Sequence, residues 1–371
     1  MDILILSCGT GGGHNSAGHA VQEEMARRGH NTTFLNPYDL HSKKLAARID
    51  NTYIGIAQAA PKLFGAIYTA GDLYRRLPCH SPVYWLNGGI AEEMAGYLEA
   101  HPFDAIFASH YFPTMILTKL RNQGVKVPKT IQIATDYTCS PFFEEAECDA
   151  YVIPSPVLAE EFVSRGIPAD KVYPFGIPVR QEFQIPVPKN EAKRQLGLDP
   201  EKRYLLVAGG SIGAGAVEKT LTLLSEILQE KPDLQVIAIC GSNEKLYIKL
   251  KKLFGSSIRL YSHTDQMALF LHACDLYLTK PGGLSTSEAA VAGVPLALLP
   301  PIPGCESKNL RFFTQNGMGK EVDVSRNGLR EIIALMDHQE ACQKMIRQQK
   351  KWIQPDAAAR VCDLAETEKI M

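Results

Sequence analysis

The sequence predicts an α/β protein built from two doubly wound domains in tandem, each with a parallel sheet between layers of helices. Three observations lead to this prediction. The chain has 371 residues, whereas one ordinary domain core holds roughly 150–200. Short apolar runs alternate with amphipathic segments along most of its length. A proline-rich stretch between residues 171 and 190 interrupts this alternation near the middle.

The first half opens with the apolar run DILILS, which predicts a strand. Ala17, Ala20, Val21 and Met25 then recur at helical spacing within residues 16–29. TTFLN predicts a second strand, and DAIFAS, KTIQIAT and AYVIPS predict three more, each followed by a loop and a helical pattern. This succession is typical of βαβ units in a parallel sheet.

The alternation resumes after the proline-rich stretch, with the strand-like runs RYLLVAGG, LQVIAICG, IRLYS, DLYLTKPGG and PLALLP. We therefore predict a first domain at 1–175, a linker at 176–190 and a second domain at 191–353. Residues 354–371 are expected to form a C-terminal helix that could pack back on the first domain.

Composition excludes several classes of protein. The formal net charge is -1, which indicates no nucleic-acid partner. No run approaches the roughly 18 apolar residues that a membrane span needs, and the first apolar run is too short for a signal peptide. The nine cysteines include no CxxC pair, which favours a reducing cytoplasm over disulfides or a zinc site.

The first glycine-rich turn, SCGTGGGH, follows the first strand at residues 7–14. It departs from the dinucleotide fingerprint G-x-G-x-x-G because its last position is His14, and the second strand ends at Asn36 rather than at an acidic residue. The glycines still allow a ligand to approach the backbone, and a histidine there can act as a general base. The alternative is a surface histidine that caps a loop.

Two further polar residues follow strands of the first half. His110 follows DAIFAS, and Asp136 follows KTIQIAT within TDYTCSP. The carboxyl ends of parallel strands share one edge of a sheet, so we expect both residues near His14. The alternative for Asp136 is a helix cap or a turn former.

Residues 43–85 combine basic and aromatic side chains on predicted helices. This combination suits docking at an anionic membrane interface. The alternative is a helical insertion that packs on its own domain. The residues concerned are Lys43, Lys44, Arg48, Lys62, Arg75 and Arg76, with Tyr53, Phe64, Tyr68, Tyr74, Tyr84 and Trp85.

The second half carries two glycine-rich turns between a strand and a helix, GGSIGAG from residue 209 and KPGG from residue 280. Backbone N–H groups at such turns bind anions, and two turns together suit a diphosphate. Ser285 and Glu288 fit a capping box, although Glu288 could instead accept hydrogen bonds from a ribose. No D-x-D or H-E-x-x-H motif offers metal ligands, so no metal cofactor is expected.

Several motifs in matching order over nearly the whole chain resemble the monogalactosyl- and glucosyl-diacylglycerol synthases. They are GGGH, TDYTCSP, FGIPVRQEF, GGSIG, LTKPGGLSTSEAAVAGVP and PIPGCESKN. The resemblance implies the GT-B fold, in which two Rossmann-like domains face a central cleft. It also implies inverting transfer of a hexose from a UDP-sugar to a lipid hydroxyl at the membrane surface.

By this resemblance, His14 and Asp136 are the catalytic residues, and the acceptor side holds Gly12, Gly13, His110 and Tyr137. The residues expected to bind the donor are Gly209, Gly210, Ser211, Gly213, His263, Thr264, Lys280, Pro281, Gly282, Gly283, Ser285, Glu288, Cys305, Glu306 and Asn309. Cys305 departs from the glutamine common in the family, which leaves the sugar open because a thiol offers little to sugar hydroxyls. Ser140 stands where many relatives carry a histidine.

The expected function is transfer of glucose or galactose from its UDP donor to diacylglycerol, at the inner face of the cell membrane. The nearest alternative is a peptidoglycan-type UDP-N-acetylglucosamine transferase that acts on a polyprenyl-linked sugar. A nucleotide-sugar-binding protein without catalysis and a UDP-sugar epimerase are more distant alternatives.

Overall fold

The computed structural model describes residues 1–9, 11–75, 77, 79–210, 213 and 216–367. The chain divides into two compact units. The first unit comprises Met1–Gln181, Pro303–Cys305 and the C-terminal segment from Gln354, and the second comprises Glu182–Ile302 and Glu306–Ile353. The division at Gln181 falls inside the stretch for which the sequence predicts a linker.

The first unit contains a parallel sheet of six strands in the order β2-β1-β3-β4-β5-β6. The central strands are buried along nearly their whole length, as expected for a sheet covered on both faces. The strands are β1 (Asp2–Leu6), β2 (Asn31–Leu35), β3 (Ala105–Ala108), β4 (Lys129–Ile133), β5 (Ala150–Val152) and β6 (Val172–Tyr173).

Helices cover this sheet and form two apolar layers, one on each of its faces. The first helix begins at Gly12, four residues earlier than the hydrophobic pattern predicts, because the glycines themselves form its first turn. The helices are α1 (Gly12–Arg27), α2 (Tyr38–His41), α3 (Lys43–Ala59), α4 (Pro61–Tyr74), α5 (Pro82–Asn87), α6 (Ala91–Ala100), α7 (Tyr111–Asn122) and α8 (Ala159–Ser164).

The second unit contains its own parallel sheet of six strands, in the order β12-β11-β10-β7-β8-β9. The strands are β7 (Arg203–Ala208), β8 (Leu234–Ile239), β9 (Arg259–Tyr261), β10 (Leu276–Thr279), β11 (Leu296–Leu298) and β12 (Lys320–Glu321). Around them lie α9 (Gln181–Gln184), α10 (Lys189–Gln195), α11 (Val217–Ile227), α12 (Glu244–Phe254), α13 (Met267–Ala273), α14 (Gly283–Ala292), α15 (Cys305–Gln315), α16 (Arg326–Leu335) and α17 (Gln339–Trp352).

The last helix, α18 (Ala357–Glu366), belongs to the first unit. Its Val361 and Cys362 lie in the core cluster on one face of the first sheet. Arg28 at the end of α1 pairs with Asp363 and Glu366, each at 2.7 Å. The chain therefore returns to the first unit after it completes the second.

The strand order reverses once in each sheet. In the first unit the reversal lies between β1 and β3, and in the second between β7 and β10. Doubly wound sheets bind ligands at the carboxyl ends of the strands that flank such a reversal. The predicted fold class, two doubly wound α/β domains, is confirmed, and it directs attention to the loops after these four strands.

The basic and aromatic segment at 43–85 forms α3, α4 and α5. Its buried side chains, among them Ala46 and Tyr84, pack on the first unit. Leu63, Ile67 and Leu73 of α4 remain more than half exposed, at 54%, 53% and 66%. Across the described residues, none of the helices has the length and apolar character that crossing a membrane requires.

Candidate functional site

A small cavity opens in the first unit where β1, β3 and β4 end. Its volume is about 50 Å³. The residues that line it are His14, Tyr68, Ser109, His110, Tyr111, Ile133, Ala134, Thr135, Asp136, Thr138, Ser140, Phe143 and Cys305.

His14 lies in the first turn of α1, where Gly12 and Gly13 precede it without side chains. Its Nδ1 is 3.0 Å from the carbonyl oxygen of Ser109 and 2.8 Å from Oγ1 of Thr135. A carbonyl oxygen can only accept a hydrogen bond, so we assign the ring proton to Nδ1. Nε2 is then the basic nitrogen of the ring.

Burial lowers the pKa of His14, while the negative charge of Asp136 and the Ser109 carbonyl raise it in part. The net direction is downward, so the imidazole is neutral near pH 7. A neutral imidazole whose Nδ1 is held by an acceptor has the form of a general base.

His110 is the N-cap residue of α7, and its Nδ1 accepts a hydrogen bond of 3.1 Å from the N–H of Phe112. Its ring meets that of His14 edge to face, with the ring centroids 4.4 Å apart. Burial and the nearby His14 hold its pKa well below the usual range. His110 is therefore a neutral cap that confines the His14 ring, a role that a strand-end position alone does not reveal.

Asp136 lines the cavity and is half-buried. Its carbonyl accepts a 2.8 Å hydrogen bond from the N–H of Thr138, which closes a turn after β4. Its carboxylate acts on His14 through charge. Tyr137, also assigned to this side from the sequence, is buried and is not among the residues that line the cavity.

Sequence reasoning missed Ser109, Thr135, Tyr68 and Tyr111. Ser109 and Thr135 each directly precede a residue that the strand-end argument selected, and they hold His14 Nδ1. The available signal was therefore their adjacency to His110 and Asp136. Tyr68 lay within the basic and aromatic segment but carried no separate signal.

In the second unit, the turns after β7 and β10 lie side by side because these strands are neighbours. Gly210 and Gly213 have φ angles of +70° and +56°, a conformation that favours glycine. A Cβ atom on Gly210 would lie 2.8 Å from Cε of Lys280, so the Lys280 side chain crosses close to the first turn. Gly209 is buried at the end of β7, and Ser211 falls outside the described residues.

Lys280 forms a largely buried ion pair with Oε1 of Glu306, the side chains being 13% and 10% exposed. The other Glu306 oxygen accepts a 2.9 Å hydrogen bond from the N–H of Ile302. Fully buried Asn309 donates through Nδ2 to the carbonyl of Pro281 at 3.0 Å. Glu306 and Asn309, which the resemblance assigns to the donor sugar, hold the KPGG turn in this structure.

Helix α14 begins at Gly283, with Gly282 as its N-cap. Ser285 is therefore the third residue of the helix, and the capping-box hypothesis for Ser285 and Glu288 is wrong. The cap belongs three residues earlier because the PGG turn itself starts the helix, without a side-chain cap. Glu288 lies one turn into α14 and is half-buried.

The remaining predicted donor residues lie elsewhere. His263 is an exposed side chain 3.3 Å from Asp265, and the hydroxyl of Thr264 accepts a hydrogen bond from the N–H of Gln266. These contacts are local to the loop after β9 and do not join it to the two turns. Cys305 begins α15 and lines the His14 cavity of the first unit. Within the described part of the chain, no group of three or more His, Cys, Asp or Glu residues could hold a metal ion.

Two family profiles match the chain. The monogalactosyldiacylglycerol synthase profile matches residues 14–179, and the glycosyltransferase family 28 C-terminal domain matches residues 204–361. The first match begins at His14 and includes the residues after β3 and β4, while the second includes both glycine turns.

Curated relatives cover nearly the same span. A processive diacylglycerol beta-glucosyltransferase of Bacillus licheniformis is 26% identical over 355 residues, which is 94% of this chain and 89% of the relative. The protein of the same description from Staphylococcus saprophyticus is 27% identical and covers 90% and 84%. Among solved structures, MurG of Acinetobacter baumannii superposes with a TM-score of 0.63 at 14% identity and covers 98% and 99%. At this identity the superposition shows the shared GT-B fold.

Proposed function

We propose that this chain transfers a hexose from a UDP-sugar to the free hydroxyl of diacylglycerol. It belongs to the monogalactosyl- and glucosyl-diacylglycerol synthase family. The observation that carries the proposal is the state of His14. Its Nδ1 is held by the Ser109 carbonyl, its pKa is lowered by burial, and it lines the cavity at the ends of the strands together with Asp136.

In the proposed reaction, Nε2 of His14 takes the proton of the lipid hydroxyl as the oxygen attacks the anomeric carbon. The bond between the anomeric carbon and the UDP oxygen breaks, and its electron pair leaves with the diphosphate. A single displacement inverts the anomeric configuration. The imidazolium that forms is stabilised by the Ser109 carbonyl and by the charge of Asp136.

The second unit supplies groups for the leaving diphosphate. Lys280 carries a positive charge beside Gly210, and the N-terminus of the ten-residue α14 follows directly at Gly283. An ammonium and a helix N-terminus both stabilise developing negative charge on phosphate oxygens. We therefore propose that the reaction proceeds without a metal ion, with Glu288 as the residue for the ribose.

The acceptor is a lipid, and the first unit offers a surface that suits a bilayer. The apolar side chains of α4 and α5 that remain largely exposed are Leu63, Ile67, Leu73, Trp85 and Leu86. Exposed basic residues lie on the same segment, and Lys44 and Arg48 line a shallow depression along α3. Exposed apolar groups beside basic groups bind anionic membrane interfaces. We propose peripheral association with the cytoplasmic face of the cell membrane.

The test is incubation with radiolabelled UDP-glucose or UDP-galactose and vesicles that contain diacylglycerol, followed by chromatography of the lipids. The expected product is a labelled glycosyldiacylglycerol from one of the two donors, formed faster on anionic than on zwitterionic vesicles. A polyprenyl-linked acceptor forms a parallel arm. Label found only in that arm would assign the chain to peptidoglycan-type transfer, and UDP binding without label in any lipid would contradict the transferase proposal.

A further inference from the structure

The loop after β4, residues 135–140, touches His14 on one side and is held by charged groups on the other. Thr138 donates its hydroxyl proton to Oε1 of Glu161 at 2.7 Å, and the N–H of Cys139 donates to the same oxygen at 3.2 Å. Arg165 pairs with Glu161 at 3.1 Å and donates to the Cys139 carbonyl. The far half of the loop is therefore fastened to α8 and the residue that follows it.

A second arginine reaches the same loop from a different helix. Arg75 is the C-cap residue of α4, and its side chain is 9% exposed. Its Nε donates to Glu144 Oε1 at 2.6 Å, and its Nη2 donates to the other oxygen of that carboxylate. Nη1 donates to Asp72 at 3.1 Å, and Nη2 also reaches the carbonyl of Ser140 at 3.4 Å. All three nitrogens of the guanidinium are engaged.

This arrangement depends on the shape of the guanidinium. Burial opposes the charge of Arg75, but Glu144 outweighs it, so that the pKa of Arg75 is raised and the group stays charged. A planar fork contacts both oxygens of one carboxylate while its third nitrogen serves another partner. A lysine at this position keeps the charge but cannot make these contacts together.

Between the two points that Arg75 contacts lies a strained residue. Phe142 has a φ of 68°, the left-handed region that bulky residues avoid, and such a residue costs about 1–3 kcal/mol. Helix α4 packs closely against the residue before it, because a Cβ atom on Gly71 of α4 would lie 3.1 Å from Cβ of Pro141. Strain of this kind persists only where the surroundings impose it. The surroundings here are α4 and its Arg75, which contacts Ser140 before the strained residue and Glu144 after it.

We propose that Arg75 is a positioning residue for the acceptor side of the site. By bridging the end of α4 to residues 140–144, it holds Thr135 and Asp136 against His14. The inference rests on the proposed function, in which His14 is the base. It also links the helix that exposes Leu63 and Ile67 to the loop that completes the His14 site.

The test is a double-mutant cycle of Arg75→Lys with Asp136→Asn, measured as kcat on diacylglycerol vesicles. Misplacement of a catalytic group by about 1 Å lowers the rate substantially, so we expect Arg75→Lys to lower kcat by up to roughly tenfold, the effect expected for loss of the Asp136 charge itself, with the UDP-sugar KM unchanged. In the Asp136→Asn background the same substitution should change kcat less than about threefold, because the group it positions is already lost. Equal effects of Arg75→Lys in both backgrounds, or no effect in either, would overturn the proposal.

Arg121→Lys is the matched control. Arg121 is a half-buried arginine of the same unit that pairs with Asp149 at 2.5 Å and reaches Thr130 at the opposite end of β4. We expect it to lower the unfolding temperature without coupling to Asp136→Asn. If Arg121→Lys couples to Asp136→Asn as strongly as Arg75→Lys does, then Arg75 only stabilises the fold and has no specific positioning role.

A second readout does not depend on activity. Hydrogen exchange of the amides at 135–140 should accelerate in Arg75→Lys and remain unchanged in Arg121→Lys. If the unmodified protein transfers no sugar but this acceleration is found, the proposed function fails while the structural link stands. If transfer occurs and exchange at 135–140 is unchanged in Arg75→Lys, the positioning role fails alone.

Discussion

The acceptor-side cavity of the first unit and the paired glycine turns of the second unit occupy equivalent places in their sheets, yet they use charge in opposite ways. The cavity holds a histidine whose pKa is lowered by burial, so its working form is neutral. The turns hold Lys280, whose ammonium group pairs with the largely buried carboxylate of Glu306. A base must lack a proton before the reaction, whereas a phosphate seat must carry positive charge throughout. The same topological position therefore serves either need, according to which side chains surround it.

The largest expected effect tests the role of the neutral His14 in the cavity of the first unit. His14→Ala removes the base, so kcat should fall by roughly 10²–10⁴, while the dissociation constant of UDP, measured by calorimetry, stays nearly unchanged. His19→Ala, which alters a histidine one turn further along α1, is the control and should retain activity. Near-normal kcat in His14→Ala would remove His14 from the mechanism.

The second largest effect tests the role of Lys280 at the glycine turns of the second unit. Lys280→Met leaves the Glu306 carboxylate buried without its cation, and loss of one partner from such a pair lowers the free energy of unfolding by about 3 kcal/mol. UDP should also bind more weakly. Adding Glu306→Gln to Lys280→Met should recover stability in thermal unfolding, whereas UDP affinity stays low. Recovery of both would show that Lys280 contributes only to folding.

A smaller effect concerns the charge that acts on the base. Asp136 raises the pKa of His14, so Asp136→Asn should lower that pKa further while burial is unchanged. The general base must be unprotonated, so kcat falls as pH drops through the His14 pKa. In Asp136→Asn we expect this acid limb to move to lower pH, and the plateau kcat to fall roughly tenfold because the imidazole is a weaker base. An acid limb that stays in place would contradict the electrostatic role of Asp136.

The smallest expected effect concerns metal removal, where we expect none. In excess EDTA, transfer should continue at the rate measured with magnesium, because Lys280 and the start of α14 stabilise the diphosphate in the proposed reaction. If chelation abolishes turnover and added magnesium restores it, the role proposed for the second unit is wrong.

Much of this architecture follows from local pattern. Alternating apolar runs predict both sheets, and the turns and helix starts that follow buried strands carry His14, His110, Asp136 and Lys280. The prediction worked because parallel strands end at a common edge, whatever the details of packing. It did not distinguish the roles of these residues. His110 is a helix cap, and the capping box proposed for Ser285 was wrong because a glycine turn starts α14 instead.

Other features depend on residues far apart in the chain. Thr135 reaches His14 across 121 positions, and Arg75 reaches Glu144 across 69. Cys305 also lines the His14 cavity, although the family resemblance assigned it to the donor. No local spacing encodes these contacts, because each depends on how a loop or helix packs after the sheet has formed.

By itself the sequence determined which chemical groups stand at the ends of the strands, since hydrophobic periodicity sets the strands and glycine sets the turns that follow. Only the tertiary structure decided the state of those groups. Burial keeps His14 without a second proton, a carbonyl selects its tautomer, and Glu306 pairs with Lys280. Desolvation and charge pairing arise from neighbours in space, and so the working form of each residue is a property of the fold.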